Sequence, residues 1–114
     1  MIKPKDNFKK VDKLIRDKLP QIMRTSGIQV FEKVMEKDEY LKRLKDKILE
    51  EAKEVIASES EKEMREELAD LHEVMLALAK VYGMEFIDIQ QTAQTKRLEK
   101  GGFDDKILLL GTKT

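Results

Sequence analysis

Two short stretches of the sequence carry carboxylates at spacings that place them on one side of a helix. Glu51 and Glu54 lie three residues apart in the first stretch, and Glu67 and Asp70 lie three apart in the second. Residues three or four apart on a helix are neighbours on its surface. Each pair could therefore present two carboxylate groups to the same ligand.

Both acidic pairs lie in rows of apolar residues, where solvated carboxylates are not expected. In the first stretch, Glu51 stands between Ile48 and Val55, at the spacing of a helix row that faces a core. In the second, the row that holds the acidic pair continues through three apolar residues, namely Val74, Ala77 and Val81. Burying a carboxylate is costly unless it is protonated, paired with a base or bound to a metal.

A metal site is predicted because the two stretches should lie side by side. The turn between them, around residues 58–60, is short, so the two helices should be antiparallel neighbours with all four carboxylates at similar heights. Four such groups repel one another, and a cation would relieve that repulsion. The chain has no cysteine and one histidine, His72, which we expect at the surface or at an interface. Oxygen-only ligands favour Mg²⁺, or Mn²⁺, over zinc. We expect Glu50 beside the ligands rather than on the metal.

The same spacings are also compatible with a structure that binds no metal. The pattern Glu-Glu-x-x-Glu is common in helices rich in lysine and glutamate, where the carboxylates are solvated. That alternative predicts a non-catalytic helical oligomer that serves as a binding module.

The composition of the chain narrows its class. Its 114 residues are 40% charged, against about 25% in an average globular protein, so a modest core and many solvated helix faces are expected. Burial against a second copy would help such a chain, and we expect a homo-oligomer. The formal net charge is zero, so nucleic acid is not expected as a partner. Neither a secretory signal nor a membrane-spanning stretch is evident, and a cytoplasmic protein is expected.

The sequence predicts an all-α, antiparallel bundle of about four helices in a single domain over residues 1–114, completed by oligomerisation. A loosely held segment, residues 1–12, should come first. A short helix is expected over residues 20–26, and an extended connection over residues 28–35.

Cap residues mark the two long helices that carry the acidic pairs. Asp38 is the expected N-cap of the first, which should end near Ala57. Ser60 and Glu63 fit a capping box at the start of the second, and Gly83 is expected to end it.

The C-terminal part should complete the bundle. A last helix is expected over about residues 85–100, and Phe103 and residues 107–110 are expected to return and pack on the bundle. The helix that starts near Ser60 should place its main apolar stripe in the core. The stripe consists of Met64, Leu68, Leu71, Met75, Leu78 and Tyr82.

The acidic pattern resembles that of a known superfamily. Residues 50–70 are similar to the E-E-x-x-E and E-x-x-D signature of the MazG-like all-α nucleoside triphosphate pyrophosphohydrolases. Two further segments, KLIRDKLP at residues 13–20 and KRLEKGGF at residues 96–103, resemble a branch of house-cleaning phosphatases close to phosphoribosyl-ATP pyrophosphohydrolase. The similarity extends from about Lys13 to Leu110. The N-terminal extension and the Gly-Gly-Phe segment depart from phosphoribosyl-ATP pyrophosphohydrolase itself.

The resemblance implies Mg²⁺-dependent hydrolysis of a nucleoside triphosphate to monophosphate and pyrophosphate by a dimer or tetramer. It implies that Glu51, Glu54, Glu67 and Asp70 are the metal ligands. Either Glu51 or Glu54 would be the catalytic group that orients or deprotonates the attacking water.

Triphosphate binding would also require cationic side chains. Arg16 is the strongest candidate, because arginine suits bidentate phosphate contacts and apolar residues flank it. The other candidates, which solvation alone would also explain, are Lys18, Lys96, Arg97 and Lys100. The preferred nucleotide stays open, with phosphoribosyl-ATP among the alternatives. The few aromatic residues that could stack on a base are Tyr40, Tyr82 and Phe86.

Overall fold

The computed structural model describes residues 8–114 of the chain. Within this range the chain forms four helices and no strand, which confirms the all-α prediction. The helices are α1 (Leu19–Thr25), α2 (Lys37–Ala57), α3 (Glu61–Val81) and α4 (Phe86–Lys100). None of the four is both long enough and apolar enough to cross a membrane.

The helix starts show which cap predictions were right. The Ser60 hydroxyl oxygen accepts a hydrogen bond from the Glu63 backbone N–H at 3.1 Å, as predicted for the N-cap of α3. The Glu63 carboxylate, however, accepts from the Glu59 N–H at 3.0 Å instead of completing the capping box at Ser60. The prediction that Asp38 is the N-cap of α2 was wrong. The N-cap is Glu36. Asp38 lies in the first turn instead, where a negative charge favours the helix dipole.

The remaining boundaries lie close to their predicted positions. α4 begins with a reciprocal capping box between Glu85 and Asp88 that the sequence reading missed. Gly83 and Gly101 have φ values of 74° and 83°, a region that favours glycine, and they follow the ends of α3 and α4. Residues 1–7 of the predicted loose N-terminal segment lie outside the described residues, and residues 8–12 are exposed and lie in neither a helix nor a strand.

The small core lies between α2 and α3, which form the main helix–helix contact. Leu44 of α2 is 1% exposed, and Val74 and Ala79 of α3 are buried with it. The α3 row that runs on through Ala77 and Val81 is half-buried. The apolar row that continues the acidic pair on α3 therefore faces inward, as the spacing predicts.

The prediction that the main apolar stripe of α3 is core was wrong for the single chain. Met64, Leu68, Met75 and Tyr82 are 36%, 48%, 38% and 59% exposed, respectively. One neighbouring helix covers one face of α3. The stripe lies roughly one residue step, about 100°, around the helix from the row that α2 covers.

The prediction that the C-terminal tail packs on the bundle was also wrong for the single chain. No residue of α4 is buried, and every residue from 90 to 114 is exposed. α4 contacts α3 and does not contact α2. The radius of gyration is 20.0 Å, whereas a compact chain of this length would have about 13 Å. The chain alone therefore does not form a closed bundle, and its completion by oligomerisation stays a prediction.

Candidate metal centre

Three carboxylates meet where α2 faces α3. Glu51, Glu67 and Asp70 each offer one carboxylate oxygen, and these oxygens all lie within 4.8 Å of one another. Glu67 and Asp70 are adjacent because they are three residues apart on α3, and Glu51 joins them from α2. We call these three residues the acidic cluster. It combines residues from both predicted acidic stretches.

Glu51 is the most enclosed member of the acidic cluster. It is 7% exposed, and it is the buried charged residue among residues 8–114. The Lys47 ammonium lies 3.4 Å from its carboxylate, one helical turn earlier on α2, and the Lys47 side chain is 17% exposed. A buried carboxylate of this kind needs a cation close by, and Lys47 supplies one positive charge.

Asp70 also has a cationic partner. The Arg16 guanidinium donates a hydrogen bond of 2.7 Å to the Asp70 carboxylate, across 54 positions of the chain. This contact ties the segment before α1 to the edge of the acidic cluster. Arg16 was predicted to bind phosphate, and the structure places its guanidinium against a predicted metal ligand. The pair is part-exposed, so its contribution to stability is small.

Glu67 has no cationic partner within the described part of the chain. Partial burial raises the pKa of its carboxyl above the usual 4.5, and the negative charges of Asp70, Glu54, Glu51 and Glu66 raise it further. Glu54 is exposed and lies outside the three-oxygen group, yet it is close enough to act on Glu67. The site therefore concentrates negative charge on Glu67.

The donor set fits a hard divalent cation. Mg²⁺ binds carboxylate oxygens at about 2.0–2.1 Å in octahedral geometry, and small side-chain rotations would bring three oxygens within 4.8 Å to such distances. Among the four predicted ligands, only Glu51 and Asp70 form ion pairs within residues 8–114. Glu54 and Glu67 thus leave two carboxylates without an ion-pair partner among these residues, and one divalent cation would balance their charge.

Two lysines at this site were missed by the sequence reading. Lys47 bridges Glu50 and Glu51, with a distance of 3.1 Å to the Glu50 carboxylate. Lys13 lies 3.8 Å from the same Glu50 carboxylate. Glu50 is therefore held by lysines beside the acidic cluster. The spacing of Lys47 to Glu50 and Glu51, three and four residues, could have indicated the first contact.

The other predicted phosphate-binding residues lie apart from the acidic cluster in this chain. Lys18 is exposed at the start of α1, and Lys96, Arg97 and Lys100 are exposed near the end of α4. A concave surface of about 400 Å³ along α4 includes Arg97 but no residue of the acidic cluster. Arg16 is the predicted phosphate ligand that the described structure brings to the carboxylates.

The predicted surface position of His72 agrees with its surroundings. Its ring is exposed and meets the Phe86 ring edge-on, with centroids 4.6 Å apart. This contact anchors the start of α4 on α3. It also engages Phe86, one of the three aromatic residues predicted as candidates for base stacking.

Neither a protein-family model, nor a curated protein, nor a solved structure matches this chain. Function must therefore be inferred from the site itself.

Proposed function

We propose that this protein is a Mg²⁺-dependent nucleoside triphosphate pyrophosphohydrolase. It would convert a ribo- or deoxyribonucleoside triphosphate and water to a monophosphate and pyrophosphate, as a house-cleaning enzyme of the nucleotide pool. The observation that supports this proposal most is the convergence of Glu51, which is buried, with the half-buried Glu67 and Asp70 where α2 faces α3. The resemblance of the acidic pattern to the MazG-like superfamily supplies the reaction class.

The acidic cluster, with Glu54 beside it, would hold the metal. Bound Mg²⁺, or Mn²⁺ in its place, would neutralise negative charge on the phosphate oxygens of the substrate. Lys47 holds the Glu51 carboxylate in direction through its 3.4 Å contact. Glu50, held by Lys13 and Lys47, would limit the movement of Lys47.

A carboxylate of α2 would orient the attacking water. The water oxygen forms a bond to one phosphorus while the bond from that phosphorus to the bridging oxygen of the leaving pyrophosphate breaks, and the water proton passes to the carboxylate. Glu51 and Glu54 are the two candidates. Glu54 is exposed and has no cation partner among the described residues, which suits a proton acceptor, whereas Glu51 is engaged by Lys47.

During substrate binding, Arg16 would exchange the Asp70 carboxylate for a phosphate group of the substrate. In the described structure its guanidinium faces Asp70, and an incoming phosphate would offer the same charge and geometry. Replacement of Arg16 by alanine should raise KM or lower turnover. If both constants were unchanged, Arg16 would have no role in substrate binding.

The proposed enzyme is a homodimer or homotetramer, with α2 and α3 antiparallel in each copy. Lys18, Lys96, Arg97 and Lys100 would contact phosphate only if another copy or a movement of α4 brought them to the carboxylates. Their exposure in the single chain is compatible with this role and with simple solvation.

A second candidate is a non-catalytic binding module, which one observation favours. Lys47 and Arg16 already neutralise two carboxylates of the acidic cluster, as they would in a purely structural ion-pair network. This candidate predicts that Mg²⁺ changes neither stability nor activity.

The test is an assay of the full chain with standard and modified nucleoside triphosphates, phosphoribosyl-ATP and Mg²⁺. Pyrophosphate, orthophosphate and monophosphate are quantified. The wild type should release pyrophosphate and monophosphate, and Glu51→Gln or a chelator should abolish this release. Glu61→Gln, on an exposed glutamate in the first turn of α3, is the matched control and should keep full activity.

Each other result would reject a definite part of the proposal. Orthophosphate with diphosphate would mean that a different bond is cleaved. Equal activity of Glu51→Gln would remove the acidic cluster from the reaction. No product from any substrate, with the protein folded by circular dichroism, would leave the binding module as the better account.

A further inference from the structure

The segment before α1 crosses the helix pair beside the acidic cluster. Residues 12–16, which we call the strap, lie in neither a helix nor a strand. At the start of the strap, the Arg43 guanidinium of α2 donates a hydrogen bond of 3.4 Å to the Asp12 carbonyl oxygen. At its end, the Arg16 guanidinium donates to the Asp70 carboxylate of α3 at 2.7 Å. The strap therefore joins α2 to α3 at the edge of the acidic cluster.

The strap is held in place by contacts that do not involve a predicted metal ligand. Leu14 and Ile15 are half-buried, although the residues on either side of them are exposed. The Lys13 ammonium lies 3.8 Å from the Glu50 carboxylate, which is outside the acidic cluster. Arg16 thus follows an anchored stretch of chain. Its side chain can change partner while the backbone stays where it is.

The contact between Arg16 and Asp70 lies where a metal would compete with it. Asp70 belongs to the three carboxylates whose oxygens lie within 4.8 Å of one another. Its pair with Arg16 is part-exposed, since the two side chains are 42% and 60% exposed, and pairs of this kind contribute little to stability. A divalent cation held by the same carboxylate would repel the guanidinium at short range. The ion pair is the weaker of the two contacts, and we expect it to break.

Lys47, the other cation at the acidic cluster, differs from Arg16 in this respect. Its ammonium lies 3.1 Å from the Glu50 carboxylate and 3.4 Å from the Glu51 carboxylate, and its side chain is 17% exposed. It is also on the same helix as both partners, at the spacing that makes them neighbours. We therefore expect Lys47 to stay in place, whereas Arg16 is free to move.

An arginine suits a position where two anions are bound in turn. The guanidinium keeps its charge at all ordinary pH values, and its planar set of donors fits a carboxylate and a phosphate equally well. When Arg16 leaves Asp70, it needs another anion within reach of its side chain. Under the proposed function, that anion is a phosphate group of the nucleotide.

We propose that Arg16 takes the place of a metal at Asp70, leaves Asp70 when a divalent cation binds, and then receives a phosphate group of the substrate. This inference rests on the proposed function for its substrate, and it adds an order of events to that function. Release of Arg16 by the metal precedes its contact with phosphate. The opposite role would be that Arg16 stays on Asp70 and holds it toward the metal, as hydrogen-bonding partners of metal ligands commonly do.

The two roles predict opposite changes in metal affinity. The probe is Mn²⁺ alone, added to the full chain, and the free ion is measured by its electron paramagnetic resonance signal. If Arg16 competes with the metal, Arg16→Gln should bind Mn²⁺ about fivefold more tightly than the wild type. Lys13→Gln is the matched control, because it removes the same charge from the strap at Glu50. It should change the affinity by less than about twofold at physiological salt.

A second measurement follows the Arg16 side chain directly. Its Nε–H signal in the nuclear magnetic resonance spectrum is identified by its absence in Arg16→Gln, and the relaxation of this signal reports how freely the side chain moves. The signal should be restricted without metal and mobile once Mg²⁺ alone is added. Inorganic pyrophosphate, added after Mg²⁺, should restrict it again. Asp70→Asn should give the mobile signal without metal, because the charge that holds the guanidinium is gone.

Misfolding is a small risk for these variants, because Lys13 and Arg16 are exposed and Asp70 is half-buried. Circular dichroism should show the same helix content in all of them as in the wild type.

Several results would overturn the proposal. Weaker Mn²⁺ binding by Arg16→Gln would mean that Arg16 holds Asp70 for the metal. An equal gain in Arg16→Gln and Lys13→Gln would show only a general effect of charge. An Arg16 signal that stays restricted at saturating Mg²⁺ would rule out its release, and one that stays mobile with pyrophosphate would remove the phosphate contact.

The nucleotide assay on the same samples separates this proposal from the reaction. Release of Arg16 by Mg²⁺ in a protein that hydrolyses no nucleotide would keep the exchange at Asp70 and reject the reaction. Hydrolysis by a protein whose Arg16 stays restricted would keep the reaction and reject the exchange. A wild type that binds no divalent cation would reject both the metal centre and the exchange.

Discussion

The α2–α3 pair and residues 90–114, which we call the C-terminal arm, are both rich in charged residues, but they differ in what their apolar residues touch. α2 and α3 bury Leu44, Val74 and Ala79 against each other, whereas the arm buries nothing. A short turn after Ala57 brings two amphipathic helices together within one chain. α4 is only weakly amphipathic, and its contact with α3 includes the edge-on ring pair of His72 and Phe86.

The two regions therefore differ in what the single chain stabilises. The acidic cluster lies on the part that the chain stabilises by itself, so the spacing of its carboxylates does not depend on the arm. The arm, with the predicted phosphate ligands Lys96, Arg97 and Lys100, is exposed along its whole length in the single chain. The two regions should therefore respond differently to substitution, to metal and to protein concentration.

The largest expected contrast comes from the same substitution made in each region. Leu44→Ala should lower the free energy of unfolding by about 2–5 kcal/mol, because it leaves a cavity between α2 and α3 at a position that is 1% exposed. Denaturant unfolding of dilute protein would measure it.

Leu98→Ala is the matched change in the arm. Under the same dilute conditions it should cost no more than about 0.5 kcal/mol, since Leu98 is 82% exposed. A larger cost at high protein concentration would sharpen the comparison. Equal costs for both variants in dilute solution would show that α4 packs within its own chain.

Mg²⁺ should stabilise the α2–α3 pair by the next largest amount. At about 100 times its dissociation constant, a ligand that binds only the folded chain adds about 2.7 kcal/mol. Thermal unfolding with and without millimolar Mg²⁺ would measure this. Glu51→Gln should lose the increase and Glu61→Gln should retain it. An unchanged melting temperature in the wild type would count against the metal site.

A cap substitution should have a smaller effect. Ser60→Ala removes the hydrogen bond to the Glu63 N–H and should cost about 1 kcal/mol in urea unfolding, because α3 belongs to the cooperative core. Asp88→Ala removes the corresponding bond to the Glu85 N–H in α4. It should speed amide exchange in α4 and leave the unfolding of α2 and α3 nearly unchanged. Loss of stability from both variants alike would argue for one cooperative unit.

The smallest expected effect is a pH dependence at Glu67. Its pKa is raised in the folded chain above 4.5, so its ionisation disfavours folding once the pH exceeds the folded pKa and has no such effect below the unfolded pKa. Without metal, Glu67→Gln should therefore melt above the wild type at pH 7, and this advantage should vanish below about pH 4.5.

Added Mg²⁺ should reverse the order of the two melting temperatures at pH 7, because the variant loses a ligand. A Glu67→Gln variant that melts below the wild type at pH 7 without metal would mean that neighbouring negative charges do not strain this carboxyl.

Much of the fold followed from local patterns in the sequence. Ser60 marked the start of α3, and glycines followed α3 and α4 as expected, because caps and left-handed residues act within a few positions. The inward register of Glu51 and the three-residue spacing of Glu67 and Asp70 likewise follow from helix geometry. The metal and its chemistry stay predictions.

The rest could not be predicted because it depends on contacts far apart in the chain. Nothing near Arg16 indicates that its partner is Asp70, 54 residues later. The apolar periodicity of α3 and the apolar residues of the tail indicated faces that need covering. Periodicity does not tell whether the covering residues belong to the same chain, so the completion of the bundle by oligomerisation stays a prediction.

The four consecutive apolar residues 107–110 have a consequence for handling and for life in a crowded cell. They are 76–91% exposed and lie outside any helix. Short β-prone, uncharged segments of this kind can stack with identical segments of other chains into fibrillar aggregates. Asp104, Asp105 and Lys106 precede the run, and charges at that position act as gatekeepers against such stacking. Replacement of these three charged residues by neutral ones, with the run kept, would favour precipitation.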